Sequence, residues 1–258
     1  MWIALAFGSA LFAGITSILA KIGLEKVNSN LATALRTIVV VIFSWVMVFI
    51  VGSQSTITDI SPKSLTFLIL SGITTGASWM CYFHALQIGD VNKVVPIDKS
   101  STILTMLLAF IVLGEPITFT MLFSIVLIGT GTYMMIQKKD TKGVVIENKI
   151  WILYACFSAL FASLTSILGK IGIENVESNL GTAIRTIVVL IMAWLIVFMQ
   201  KKHKEIKDID KKSWLFIGLS GITTGLSWMC YYKALQDGLA SVVVPIDKLS
   251  VLITVAFA

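Results

Sequence analysis

Two identical charged pairs interrupt apolar stretches of the chain and are the residues best suited to chemistry. Asp98–Lys99 and Asp247–Lys248 each follow the residues VVPI. Ionisable side chains in apolar membrane segments are costly, and they commonly hold a charged solute, an ion or a proton. A structural role is the alternative, because proline suits the first turn of a helix and the helix dipole stabilises a carboxylate there. We predict that these pairs either line a solute cavity or cap helices that begin at the preceding prolines.

A second set of basic residues lies near the ends of apolar runs. Arg36 and Arg185 stand five residues inside two of these runs, and Lys21 and Lys170 end the runs before them. A short turn joins each lysine to its arginine, so both lie near one membrane face. Their aliphatic stems can extend to the interface as anchors. The alternative is a basic rim that contacts an anion.

Aromatic rings follow a GxxxG motif at spacings of three or four residues, and the pattern occurs twice. GxxxG permits close approach of helices, so packing explains the glycines. The rings are alternatively the floor of a cavity for an amphipathic or aromatic solute. A face of small polar residues that includes Thr16 and Thr165 suits either tight packing or a solute path. The aromatic residues are Trp79, Tyr82, Trp228 and Tyr231.

No known catalytic or metal-binding pattern occurs in the sequence. His84 and His203 are single and far apart. Metal-ligand spacing, a nucleophile elbow, a P-loop and a dinucleotide fingerprint are all missing from the sequence. We therefore expect a protein that is not an enzyme and has neither a metal site nor a cofactor.

The composition places these residues in a membrane. Hydrophobic residues make up 57% of the 258 residues and charged residues 13%, whereas soluble domains have about 25% charged residues. Mean hydropathy is +0.92. These values exclude a soluble enzyme, a disordered chain and a disulfide-stapled secreted module. We predict an all-α polytopic protein of the lipid bilayer, in a bacterial plasma membrane, without a cleavable signal peptide and without nucleic-acid binding.

The chain is a tandem duplication. A displacement of 149 residues aligns 1–109 with 150–258 without a gap, and 62 of these 109 positions are identical. We predict a five-helix unit at 1–137, a linker loop at 138–149 and a second unit at 150–258. The second unit is expected to be truncated in its fourth helix, which leaves about nine helices. The apolar segments are 2–20, 31–52, 64–88, 94–114, 117–137, 150–169, 180–199, 213–236 and 242–258.

An odd number of helices in the first unit inverts the second unit in the membrane, as in many secondary transporters. We call the N-terminal side of the membrane side A and the opposite side B. With this inversion, 14 lysines lie on side B and 4 on side A. Lysines collect in cytoplasmic loops. Side B, which carries the loops 138–149 and 201–212, is therefore predicted to be cytoplasmic.

The paired units resemble the EamA domain of the drug/metabolite transporter superfamily. The resemblance rests on AKIG at the end of the first helix, GITTGxSWMCY in the third, VVPIDK before the fourth and 113-LGEPIT-118 after it. The chain looks like two short five-helix members joined in tandem. The resemblance implies a ten-helix carrier with a central cavity lined mainly by helices 1, 3 and 4 of each unit. It also implies cytoplasmic termini, opposite to the orientation that the lysines favour.

Three functions follow from these features. The first is a secondary transporter that moves a small organic metabolite, an amino acid or a similar solute, by alternating access. The second is an ion-conducting, channel-like protein of the same fold, and the third is a membrane scaffold without transport. A homodimer is left open as the oligomeric state.

Overall fold

Helices form almost the whole of the described chain. The computed structural model describes residues 1–24, 27–136 and 150–256, so the linker predicted at 138–149 lies outside the described residues. These ranges contain eleven α-helices and no strand. The first unit comprises α1 (Trp2–Gly23), α2 (Ser29–Val51), α3 (Pro62–Ile88), α4 (Val91–Lys99), α5 (Ser101–Leu113) and α6 (Phe119–Ile136). The second comprises α7 (Ile150–Gly172), α8 (Ser178–Met199), α9 (Lys211–Asp237), α10 (Ala240–Lys248) and α11 (Ser250–Ala256).

The fourth apolar segment of each unit is broken into two helices, so nine predicted segments give eleven helices. The breaks fall at Ser100, between α4 and α5, and at Leu249, between α10 and α11. The prediction that helices begin at Pro96 and Pro245 is wrong, because both prolines lie inside the helix that precedes the break. A proline within a helix removes a hydrogen bond to residue i−4 and weakens the turn around it. Each of these helices accordingly ends only three residues after its proline.

Within the described residues, six segments are long and apolar enough to cross a membrane, which confirms the predicted polytopic all-α fold. Helix α9 has the same 27-residue length as α3, its equivalent in the repeat, but carries more polar residues. Two short 3₁₀ helices, Ser53–Asp59 and Lys202–Asp208, connect the second and third long helices of each unit. The six candidate spans are Trp2–Gly23, Ser29–Val51, Pro62–Ile88, Lys93–Leu113, Ile150–Gly172 and Ser178–Met199.

The second unit is inverted relative to the first, as contacts between the equivalent helices α2 and α8 show. At one end of this pair, Asn30 in the first turn of α2 donates through Nδ2 to Oε1 of Gln200, just after α8, at 2.5 Å. At the other end, Val48 near the end of α2 packs with Leu180 near the start of α8. Equivalent helices therefore run antiparallel, which is the arrangement that an odd number of crossings imposes.

The two units exchange their first helices. Helix α1 packs along α9 of the second unit, and α7 packs along α3 of the first. Hydroxyl pairs join both interfaces at equivalent positions: Thr16 lies 2.8 Å from Thr223, and Thr165 lies 3.0 Å from Thr74. Small polar residues thus connect α1 and α7 to the other unit, which supports the packing role predicted for this face.

The GxxxG glycines allow close packing between the units, as predicted. A Cβ atom at Gly72 of α3 would lie 2.6 Å from Cβ of Val188 in α8. A Cβ atom at Gly221 of α9 would lie 2.6 Å from Cβ of Val39 in α2. Any side chain at either glycine would therefore separate the third helix of one unit from the second helix of the other.

Candidate solute-binding site

Each carboxylate of the charged pairs is held by a serine of the other unit. Ser158 donates to Oδ1 of Asp98 at 2.6 Å, and Ser9 donates to Oδ1 of Asp247 at 2.6 Å. The lysine that follows each aspartate lies 3.8 Å and 3.7 Å, respectively, from its other carboxylate oxygen. Both aspartates lie in the last turn of a helix, where the helix dipole disfavours a negative charge. They are therefore not N-terminal caps, and the serine and lysine contacts compensate for this position.

A cavity of about 240 Å³ lies between helices of both units. Residues of α1, α3, α7, α8, α9 and α10 line it, so it is built on helices from both halves of the repeat. The hydroxyls of Thr75, Ser78 and Ser166 add polar groups to its wall. Of the predicted site residues, those that line this cavity are Trp79, Thr165, Arg185, Trp228, Tyr231, Asp247 and Lys248.

Arg185 is the most deeply buried charge of the cavity wall, with 1% of its surface exposed. Its Nε donates to Ser71 at 3.3 Å, and its Nη2 donates to Thr75 at 2.8 Å. Its guanidinium carbon lies 4.5 Å from the ring centre of Tyr232 and 5.2 Å from that of Trp228. Aromatic faces attract a cation because of their quadrupole. The prediction that Arg185 is only an interfacial anchor is wrong, because hydroxyls of α3 and rings of α9 enclose the guanidinium.

Arg36, the equivalent of Arg185, has different surroundings. It borders a pocket of only about 10 Å³, beside Ala20 and Ser220, and is absent from the wall of the 240 Å³ cavity. It is partly buried rather than fully enclosed. The inverted repeat therefore brings one of its two arginines to the cavity and leaves the other in a packed region.

Two substitutions between the units accompany this difference. Tyr232, which lies over Arg185, corresponds to Phe83 in the first unit, and Gly169 corresponds to Ala20. A Cβ atom at Gly169 would lie 2.7 Å from Cε1 of Tyr232. The glycine therefore makes room for the tyrosine ring that covers the guanidinium.

The remaining predicted residues lie outside the 240 Å³ cavity. Thr16 donates to the carbonyl of Phe12 and to Thr223, both at 2.8 Å, so it serves helix packing. Asp98 and Lys99 repeat the Asp247 arrangement against α7 but are absent from the cavity wall. Tyr82 lines a different cavity at the side B end of the bundle.

This second cavity, of about 680 Å³, lies where α2 begins and α3 and α8 end. Asn30, Tyr82, Gln87 and Lys202 are among its lining residues. Gln87 is exposed in it. A space of this size shows that the helix ends are separated at side B.

Hydrogen bonds close the side A end of the bundle. They join the end of α9 to the end of α7 and to the turn before α8. Gln236, the counterpart of Gln87, donates through Nε2 to the carbonyls of Ile173 at 2.6 Å and Val176 at 2.7 Å. Lys170 donates to the carbonyls of Leu235, at 2.9 Å, and Gly238. We call the contacts of Gln236 and Lys170 the side A closure. The two ends of the molecule therefore differ, although the units are closely similar in sequence.

Glu115, which the sequence analysis did not select, completes this end of the molecule. Its carboxylate accepts hydrogen bonds from the backbone N–H groups of Ala240, at 2.6 Å, and Ser241, at 2.9 Å. Lys170 lies 3.7 Å from the same carboxylate. Glu115 of the first unit therefore caps α10 of the second, where the dipole favours a negative charge. The acidic residue in the LGEPIT sequence was the signal that could have identified it.

Comparison with known proteins agrees with this architecture. The model of the EamA-like transporter family matches residues 1–137 and 149–258. A relative from a Sinorhizobium species, described as "Uncharacterized transporter in cobO 3'region", is 34% identical over 134 residues, which are 52% of this chain and 95% of the relative. A crystal structure of 16% identity superimposes with a TM-score of 0.76 over 100% of this chain and 88% of its own, and shows the same fold. The chain belongs to the EamA-like transporter family and is an integral, multi-pass membrane transporter.

Proposed function

We propose that the protein is a secondary transporter that moves a small organic solute by alternating access between its two units. The observation that carries this proposal is the difference between the ends of an inverted repeat. At side A, Gln236 joins the end of α9 to the turn before α8. At side B, the equivalent Gln87 lines an open cavity instead.

An inverted repeat can exchange these two arrangements. The first unit contains the equivalents of both residues of the side A closure, which are Gln87 and Lys21. The backbone carbonyls of Leu24 and Val27 correspond to those that accept from Gln236. If the first unit takes up the arrangement of the second, side B closes and side A opens. Because the units are similar in sequence, the two states are expected to be close in free energy.

Asp98 and Asp247 occupy equivalent positions in the two units, and these positions suit charged groups that move during transport. Asp98 and Asp247 lie in the last turns of α4 and α10, next to the breaks at Ser100 and Leu249. Each is partly buried and is neutralised by a neighbouring lysine. Loss of either negative charge leaves that lysine unpaired in an apolar segment, which is costly.

Transport by proteoliposomes tests this role. Counterflow of radiolabelled amino acids and organic acids should be saturable, and Asp98→Asn and Asp247→Asn should each reduce its rate by about tenfold or more, because about 1.4 kcal/mol of lost stabilisation corresponds to tenfold. Asp59→Asn and Asp208→Asn, an equivalent pair outside the spans, are the matched controls and should change little. Undiminished transport in both Asp98→Asn and Asp247→Asn would remove these carboxylates from the mechanism.

Two other results would contradict the transporter mechanism itself. Single-channel currents without saturable counterflow would support the ion-conducting alternative. Retention of the cellular function after every cavity residue has been changed would support a scaffold. We also propose that side B is cytoplasmic in a bacterial plasma membrane, because the lysine-rich segment around Lys202–Asp208 lies at that end of the bundle.

A further inference from the structure

The cavity holds a positive charge that no acidic residue of the described chain neutralises. Arg185 is almost fully buried, yet its hydrogen-bond partners are the uncharged hydroxyls of Ser71 and Thr75. No ion pair between Arg185 and a carboxylate occurs in the ranges 1–24, 27–136 and 150–256. A guanidinium has five N–H donors, and these two hydrogen bonds engage two of them.

The other charges of the cavity wall cancel each other. Asp247 lies 3.7 Å from Lys248 and accepts a hydrogen bond from Ser9. Among the described residues that line the cavity, no further acidic or basic side chain occurs. The cavity wall therefore carries one net positive charge, located on Arg185. A buried charge without a counterion is unfavourable, so an anionic solute would gain by pairing with it.

We propose that this cavity binds an organic monoanion, with its carboxylate on Arg185 and an aromatic or apolar body between Trp79 and Trp228. This inference rests on the proposed transport function and names the substrate class for it. A guanidinium binds a carboxylate through two parallel hydrogen bonds. The indole rings of both units line the remainder of the cavity and suit a flat ring. The volume of about 240 Å³ limits the solute to a small one, since pockets that bind drug-sized ligands measure roughly 300–1,000 Å³.

The structure assigns this role to Arg185 and not to Arg36. Both arginines occupy equivalent positions, but only Arg185 borders a cavity large enough for a solute. Tyr232 and Gly169, which accompany Arg185, correspond to Phe83 and Ala20 in the first unit, so the first unit has no equivalent of the tyrosine hydroxyl. The chain therefore supplies its own control, an arginine in the same helix position without access to the site.

Binding of a matched acid and amide to the purified full chain tests the proposal. Benzoate and benzamide have nearly the same shape, and only benzoate carries a charge. Equilibrium dialysis with radiolabelled benzoate should show saturable binding, and benzamide should compete at least about tenfold more weakly. Phenylacetate and phenylacetamide provide a second pair with a more flexible body.

Variants then locate the site. Arg185→Gln should weaken benzoate binding by at least about 30-fold, because it removes one partner of a buried charge pair. Arg185→Lys should weaken it less, since the charge remains but the paired hydrogen bonds are lost. Arg36→Gln should leave the dissociation constant within about twofold, as expected for a residue outside the site.

Several outcomes would overturn the proposal. These are equal binding of the acid and amide to the native protein, absence of saturable binding of both acids at millimolar concentration, and equal losses in Arg185→Gln and Arg36→Gln. The comparison in the native protein decides the question even if Arg185→Gln does not fold. Counterflow of radiolabelled benzoate separates the two proposals. Binding of benzoate without counterflow would support the anion site and contradict the transport function. Counterflow of neutral solutes alone would support the transport function and contradict the anion site.

Discussion

The side A closure makes a specific prediction for Gln236. Replacement by leucine removes two hydrogen bonds, to the carbonyls of Ile173 and Val176, and keeps a side chain of similar size. The amide is held on its other side as well, because Lys233 donates to its oxygen at 3.2 Å. We therefore expect Gln236→Leu to destabilise the state in which side A is closed. Gln87→Leu, at the equivalent position in the open end, is the matched control.

The size of the effect follows from the lost hydrogen bonds. Each such bond contributes about 0.5–1.5 kcal/mol net, so two contribute about 1–3 kcal/mol. This change alters the ratio of closed to open molecules by a factor of about 5 to 150. Gln87 is exposed, and in the described part of the chain it makes no hydrogen bond to the turn between α1 and α2. Its replacement should change the same ratio by less than about twofold.

A cysteine in the cavity measures this equilibrium. Ser166 lines the cavity, is 8% exposed and lies 2.8 Å from the hydroxyl of Tyr231. Ser166→Cys, in a background without the native cysteines, can be labelled with a membrane-impermeant maleimide in right-side-out and inside-out vesicles. A second variant, Lys204→Cys, identifies which face of the vesicle is side B. Gln236→Leu should raise the labelling rate from side A by at least about fivefold. The native cysteines are Cys81, Cys156 and Cys230.

The comparison of the two leucine variants decides the argument. Labelling from side A that is equally fast in Gln236→Leu and Gln87→Leu would refute the view that the side A closure holds this end shut. Unchanged labelling in both would refute it as well, provided that both proteins elute as single species. Labelling of Lys204→Cys only in inside-out vesicles would agree with the predicted orientation.

Two further predictions concern stability, measured by thermal or detergent-induced unfolding. Gly169→Ala should lower the free energy of unfolding by about 0–2 kcal/mol, because overpacking against Tyr232 costs about 1–3 kcal/mol and alanine returns about 1 kcal/mol of helix propensity. An increase in stability would contradict the contact. Ala20→Gly is its control and should cost about 1 kcal/mol or less, the propensity term alone. Glu115→Gln should cost about 1–2 kcal/mol, because the cap of α10 loses its charge. Glu205→Gln, in an exposed ion pair, should cost under about 1 kcal/mol, and equal effects of the two glutamates would contradict the capping role.

The inverted architecture could be predicted because it follows from the odd number of apolar segments in the first unit. The 149-residue displacement and the five segments of the first unit require opposite insertion, and the antiparallel contact of Asn30 with Gln200 confirms it. The breaks at Ser100 and Leu249 could not be predicted in the same way. Proline is favourable in a first turn and unfavourable in a helix interior, and hydropathy does not distinguish these positions.

The asymmetry of the site was beyond sequence analysis for a different reason. Gly169 and Tyr232 lie more than 60 residues apart and meet only because α7 and α9 converge on Arg185. A comparison of the two units shows that Gly169 and Tyr232 differ from their equivalents, Ala20 and Phe83. It does not show that the two differences act together. Glu115 was not selected as a site residue, because its motif 113-LGEPIT-118 occurs once in the sequence and the repeat gave no second copy to compare.

The exchange of first helices between the units has a consequence for biosynthesis. Helix α1 ends at Gly23, whereas α9, its main partner, begins at Lys211. At about 5–20 residues per second, the ribosome needs roughly 10–40 s to supply that partner. During this interval the small polar face of α1 must be accommodated by lipid, by α2 or by the insertion machinery. The order of synthesis therefore delays the assembly of the carrier until the second half has entered the membrane.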